Sequence, residues 1–210
     1  MQLIKSNAED EKNVRKQVFV TFAALVNQFY LFNMRKTPNS ELVRQTESGF
    51  ITAAKLPIVI VLDNVRSAHN VGSVFRTADA FLLAGVYLCG ITATPPNKEI
   101  FKTALGASDW VSWQYAANTT DAVQHLKSEG YTIIAIEQAD ASVPLHRFMP
   151  DTTQQRYALV FGHEVEGVSE AVMALADECV EIPQLGVKHS LNIAVSVGVV
   201  LWEFVRGNMP

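Results

Sequence analysis

Positive charge is in short supply in this sequence: 17 Lys and Arg stand against 21 Asp and Glu, a formal net charge of −4 over 210 residues. A nucleic-acid partner is therefore not held by an overall basic field and needs a local patch of Lys and Arg. Cysteine is scarcer still. Cys89 and Cys179 are the only two, each inside an apolar run, which reads as two reduced, buried thiols rather than a disulfide and suits a reducing cytoplasm. An apolar run of the ~20 residues that a membrane span requires is also missing. The apolar stretch at 18–26 continues to residue 32, but Asn27 and Gln28 interrupt it. No small-residue cleavage site follows, so a helix packed on the domain or on a second subunit is expected there.

What is present is a chain with 49% hydrophobic residues, enough for the core of one ordinary domain with a short extension. From Pro57 onward, short β-rich runs alternate with helical stretches, the pattern of an α/β fold with a mostly parallel sheet and helices on both faces. The runs predict strands at 58–62, 86–89, 111–115, 132–136, 158–161 and 179–182. Their continuous apolar character suits strands covered on both sides. Helices are predicted at 71–83, 121–128, 170–176 and 191–205. In the last, Leu191, Ala194, Val195, Gly198, Val199 and Trp202 recur at helical spacing while the other faces are also apolar. That helix belongs deep in the domain or at a subunit contact. A polar stretch at 35–48 separates the fold from the front of the chain, giving a helical extension with linker at 1–48 and the main α/β domain at 49–210.

Three segments carry chemistry. In the first, 62–79, a strand ends in a dense polar loop and a helix opens around Asn70, with Arg66 and Arg76 flanking it. A plain N-cap at Asn70 accounts for the helix start but not for the polar loop. Loops at the carboxyl ends of parallel strands are where α/β proteins bind ligands, and helix N-termini attract phosphate. In the second, 159–169, a strand runs into a turn bounded by Gly162 and Gly167 that holds Glu164 and Glu166. Standing alone it is a solvated glycine turn. The third, 182–195, carries Ser190 as a candidate N-cap, which leaves Asn192 inside the first turn of an apolar helix; a polar amide there has a partner or a task.

In order and spacing these segments resemble the three signature motifs of the SpoU/TrmH family of RNA 2′-O-ribose methyltransferases, in the SPOUT superfamily: Asn-x-Gly-x-x-x-Arg, Gly-x-Glu-x-x-Gly and Ile-Pro…Ser-Leu-Asn. The resemblance spans residues 58–205. It implies an α/β knot formed by the C-terminal part, a homodimer packed partly through the last helix, and S-adenosyl-L-methionine as cofactor. Cofactor contacts by main-chain atoms map to Gly162, Ile182 and Leu191, with Ile136 or Glu137 at the end of a strand. Main-chain contact explains why no G-x-G-x-x-G is needed, and none occurs. The polar residues that match the family's functional set are Asn70, Arg76, Glu164, Ser190 and Asn192.

The implied reaction moves a methyl group from S-adenosyl-L-methionine to a ribose 2′-hydroxyl, on tRNA in preference to rRNA. A guanidinium pKa above ~12 makes Arg76 a poor base. Arg76 is better placed holding the adjacent phosphate while Ser190, Asn192 and Glu164 fix geometry. Arg66, and Lys102 in the segment 98–108, are candidate RNA contacts. Two rival readings remain. A metal-dependent hydrolase would use His69, His163, His189 and Glu164, but no His-x-x-x-His spacing supports it, so no metal is expected. A non-catalytic RNA-binding module would need no cofactor.

Overall fold

The strand-forming runs assemble into one seven-stranded sheet, every pairing parallel, in the order β3 (Trp113–Ala116), β2 (Leu83–Cys89), β1 (Leu56–Asp63), β6 (Arg156–Phe161), β4 (Tyr131–Ile136), β7 (Glu178–Glu181) and β5 (Val143–Pro144). The computed structural model describes residues 20–21, 35–188 and 190–208; the expected helix at 18–32 falls almost entirely outside them. Residues from Gln45 onward form one compact unit. The described residues before it include a 3-10 turn, Asn39–Glu41, with an Arg35–Glu41 ion pair at 2.6 Å.

Residues Ile58 to Leu62 of β1 are all buried, as the expectation of a strand covered on both faces requires. One face packs under α2 (Ala68–Ala80), α3 (Lys98–Ala104) and α6 (Ile193–Val205), around Phe75, Leu159, Val197 and Phe204. The other packs under α4 (Thr119–Ser128) and α5 (Glu170–Met173), around Val61, Val123, Ala158 and Val172. A first short helix, α1 (Glu47–Thr52), capped by Thr46, contributes Phe50 to the former core.

Several boundaries depart from the sequence expectation for local reasons. Helix α2 begins three residues before the predicted start because Ser67, not Asn70, is the N-cap: its hydroxyl accepts from the Asn70 amide at 3.3 Å. The same helix stops at Ala80, where Leu82 turns to φ +54 and β2 begins at once. Strand β3 starts at Trp113 rather than 111, since the Val111 amide still bonds to Ala107 in the preceding turn. At the last helix the cap is Asn192, whose side-chain oxygen accepts from the Ala194 amide at 2.9 Å. Ser190 therefore lies ahead of the helix, not at its cap.

Gly72 has a packing task. A Cβ there would lie 2.1 Å from the Thr103 hydroxyl and 2.3 Å from the Ile100 carbonyl, so a glycine is what lets α2 and α3 approach this closely.

This topology positions the site. Adjacent strands align Leu62 with Phe161, Phe161 with Ile136, and Ile136 with Val180. The loops leaving β1, β6, β4 and β7 consequently emerge side by side at one edge. Strand β7 lies beyond β4, yet the helix after it packs against α2. Residues 182–192 must therefore return across the ends of the central strands.

Candidate active site

The turn after β6 is built so tightly that only glycine fits at either end. A Cβ on Gly162 would sit 2.0 Å from the Gly167 carbonyl carbon, and Gly167 holds φ +70. Between them His163 and Gly167 exchange two main-chain hydrogen bonds of 2.9 Å. The His163 ring closes the inside of the turn, with Nδ1 accepting from the amides of Val165 and Glu166 at 3.2 Å each. That places Glu164 at the apex with its carboxylate directed at the first polar loop.

Glu164 joins the three motif segments. Its Oε2 accepts from the Arg66 amide and its Oε1 from the Ser67 amide, both at 3.0 Å, and Oε1 also accepts from the Asn70 side-chain amide at 3.2 Å. Asn70 in turn accepts from the Asn192 side-chain amide at 3.1 Å. Segments 94 and 122 residues apart in sequence are thus linked through four side-chain contacts. Partial burial pushes the Glu164 carboxyl up, but the amides of Arg66, Glu164 itself and Ser67, with the Asn70 side chain, outweigh it and hold the group below its ordinary range. An anion held in this way is a brace and a weak proton acceptor.

The second and third segments, with the end of β4, line a cleft of about 540 Å³ that includes Glu137, Gly162, Glu164, Ile182, Ser190, Leu191 and Asn192, a size suited to a cofactor of nucleoside dimensions; Asn70 stands outside the lining, behind Glu164 and Asn192. The expected main-chain positions Gly162, Ile182 and Leu191 therefore share one wall system, and Glu137 lies with them. Its Oε2 accepts from the Val168 amide at 3.0 Å and its Oε1 from the Gln138 amide at 2.9 Å. On the far wall, Gln184, Ser190 and Leu191 make no hydrogen bond among the described residues. Unpaired main-chain groups beside the apolar side chains of Ile136, Phe161 and Ile193 suit a purine with a ribose and an amino-acid arm joined at a cationic sulfur, so the residues fit S-adenosyl-L-methionine.

Other expected site residues lie elsewhere. Arg76 is exposed on α2 and is not part of the cleft lining. Arg66 is exposed, and it is its main-chain amide that meets Glu164. Lys102 is on α3, paired with Glu99 at 2.7 Å. His69 pairs with the same Glu99 at 2.6 Å, and His163 has its Nδ1 committed to two amides, so these two histidines face different partners. His189 lies outside the described residues. Among the described residues no group of three metal-ligating side chains occurs.

Ser67 and Asp63 were not legible as site residues. Asp63, 1% exposed at the end of β1, accepts from the Asn64 side chain at 2.8 Å, from Thr119 and from the Ser169 amide at 2.9 Å. Its position at a strand end was the only signal available.

With this geometry in view, the comparisons with known proteins are decisive on family. The model of the SpoU rRNA methylase family matches residues 57–202. The chain belongs to that family. It is 32% identical over 149 residues to the tRNA (guanosine(18)-2′-O)-methyltransferase of Thermus thermophilus, covering 71% of this chain and 74% of that one. It is 27% identical over 172 residues to a 23S rRNA (guanosine-2′-O-)-methyltransferase of Vibrio vulnificus, covering 82% and 68%. A solved structure of an AdoMet-bound rRNA methyltransferase from Sinorhizobium meliloti superimposes with a TM-score of 0.68 at 28% identity, over 75% of this chain and 62% of that one. The chain thus spans only part of the length of these relatives. That superposition shows that the solved structure shares the α/β architecture described above.

Both cysteines are free, Cys89 buried and Cys179 half-buried, and burial pushes the Cys89 thiol up to about 12. No described helix is long and apolar enough to cross a membrane.

Proposed function

We propose that this chain is an S-adenosyl-L-methionine-dependent RNA methyltransferase that modifies a ribose 2′-hydroxyl. The observation that carries the reading is the Glu164–Asn70–Asn192 linkage, which ties the first family segment to the two that line one cleft. The cofactor supplies a methyl group on a positively charged sulfur. Main-chain groups of Gly162, Ile182 and Leu191 would hold it beside the apolar side chains of Ile136, Phe161 and Ile193, and the return of the chain from β7 to α6 across the strand ends is the crossing we assign to the family's knot.

A ribose hydroxyl gives up its proton reluctantly at neutral pH, so the site must favour developing negative charge on that oxygen. Arg76, exposed and without an ion-pair partner among the described residues, serves by gripping an RNA phosphate beside the reacting ribose. Ser190 and Asn192 orient the sugar, and Glu164 keeps Asn70 and the Arg66 loop in register. Arg66 and Lys102 extend the contact along the RNA backbone, Lys102 with its charge partly offset by Glu99.

Both tRNA and rRNA enzymes stand among the relatives, and tRNA is the substrate we favour. A homodimer is the assembly we propose. Val195 is 51% and Trp202 54% exposed on α6, on the face opposite the buried Val197, Val200 and Leu201, and a second copy would cover that apolar stripe. Residues 49–210 form the catalytic domain in this reading, with 1–48 as an extension, and the two free thiols agree with a cytoplasmic setting.

The test is transfer of labelled methyl from S-adenosyl-L-methionine to purified tRNA and rRNA, followed by alkaline hydrolysis. A 2′-O-methyl blocks cleavage at its own phosphodiester, so label is expected in alkali-resistant dinucleotides. Label in mononucleotides, or none in either RNA, contradicts the reading.

A further inference from the structure

Glu137 lies at the end of β4, in none of the three segments that define the family resemblance, yet it is wedged against the turn that forms one wall of the cleft. Its Oε2 accepts from the Val168 amide at 3.0 Å, and a Cβ on Gly167 would fall 2.2 Å from that same oxygen. The other oxygen, Oε1, accepts from the Gln138 amide at 2.9 Å. Both partners are main-chain donors, so neither can reverse its polarity to suit a different side chain. The next amide along, Ser169, is gripped by the buried Asp63. Consecutive amides at the exit of the Gly162–Gly167 turn are therefore held by two carboxylates from two different strands.

We propose that Glu137 is a positioning residue for the cofactor: it sets the closure of the Gly162–Gly167 turn, and through it the main-chain wall against which S-adenosyl-L-methionine rests. This rests on the cofactor reading above and adds a role to it. The carboxylate form is required. A glutamine in this place must present an NH₂ to one of the two amides, losing that contact and forcing donor against donor. The turn would then open at its exit. Glu164 at its apex has three further contacts of its own to the first loop, so the methyl-accepting side is expected to survive. Effects on cofactor affinity and on turnover should separate accordingly.

The experiment measures S-adenosyl-L-methionine binding by calorimetric titration on the full chain, with steady-state methyl transfer and thermal unfolding beside it. For Glu137→Gln the dissociation constant and the KM for the cofactor are expected to rise about tenfold. The kcat at saturating cofactor and the KM for RNA should stay within about threefold, a split that general loosening of the fold would not produce. Gly167→Ala pushes the same contact apart from the opposite side and should weaken cofactor binding by a similar factor. Because both changes break one contact, the double variant should bind no worse than the poorer single variant.

If Glu137→Gln fails to fold, Gly167→Ala carries the same measurement alone. Wild-type affinity in either folded variant, a loss confined to kcat, or additive losses in the double variant would overturn the assignment. Absence of cofactor binding by the unmodified chain would instead overturn the reading of the cleft itself.

Discussion

The two walls of the cleft are made in opposite ways. The turn after β6 is closed by two glycines without room for a side chain, an antiparallel bridge, a histidine ring and three carboxylates. The segment between β7 and α6 has none of this. Ile182, Gln184, Ser190 and Leu191 of this segment line the cleft; next to them and outside the lining, Leu185 and Val187 are 103% and 93% exposed, a Cβ on Gly186 would meet nothing within 4 Å, and the segment's described residues before Asn192 make no hydrogen bonds among the described residues. One wall is preorganised by the chain itself, while the other leaves main-chain groups and apolar side chains to solvent until a ligand or a second copy covers them. Preorganisation of this kind lowers the cost of binding on one side and leaves adaptability on the other.

Changes in the built wall should accordingly be costly and those in the open wall cheap in the isolated chain. The largest effect is expected at Glu164. Glu164→Ala cuts the contacts to Arg66, Ser67 and Asn70 together, and a shift of the first loop by about 1 Å is enough to lower methyl transfer about 100-fold, measured as kcat/KM for RNA. Retention of near-normal turnover would show that the segments do not need this link. Next comes Gly162→Ala, whose new methyl would meet the backbone of the turn at 2.0 Å. A loss of about 3 kcal/mol in chemical denaturation is expected, with cofactor binding lost in parallel.

Asp63→Asn follows. The buried carboxylate accepts from three donors, so an amide there must leave at least one of them facing another donor, at about 2 kcal/mol, read from the denaturation midpoint. The smallest effect on fold stability belongs to the open wall: Leu185→Ser should change unfolding by no more than about 0.5 kcal/mol at low protein concentration. The same substitution should shift sedimentation towards the monomer if a second copy covers that segment. A substantial loss of monomer stability would remove the contrast between the walls.

The pH dependence separates the walls too. The folded-state pKa of Glu164 lies below its ordinary value. Its bracing contribution is then complete above the ordinary carboxylate pKa and is lost only as pH falls through the lowered one. The acid limb of a kcat/KM profile near neutrality should therefore keep its midpoint in Glu164→Gln, even though the absolute rate falls.

Much of this was legible in the sequence because the informative signals are local. Five or more consecutive apolar residues announce β1 and β6, and their polar continuations announce the loops that meet at the site. What escaped depends on partners far away in the chain. Ser67 and Asn70 are both good cap formers, and only the position of Glu164, 94 residues beyond Asn70, explains why Asn70 is free to bridge while Ser67 caps. Gly72 reads as part of a phosphate-friendly helix start until Ile100 and Thr103 are seen against it. Strand β5 has two residues, too few for any periodicity. Asp63 looks like the ordinary polar end of a strand, and its importance comes from Thr119 and Ser169, which the sheet brings to it.

The most direct test is a titration of the purified chain with S-adenosyl-L-methionine, repeated with Gly162→Ala. Saturable binding of one cofactor per chain, abolished when the turn is pried open, is the predicted result. No binding, or binding that the glycine substitution leaves intact in a folded protein, would contradict the claim that this wall holds the methyl donor.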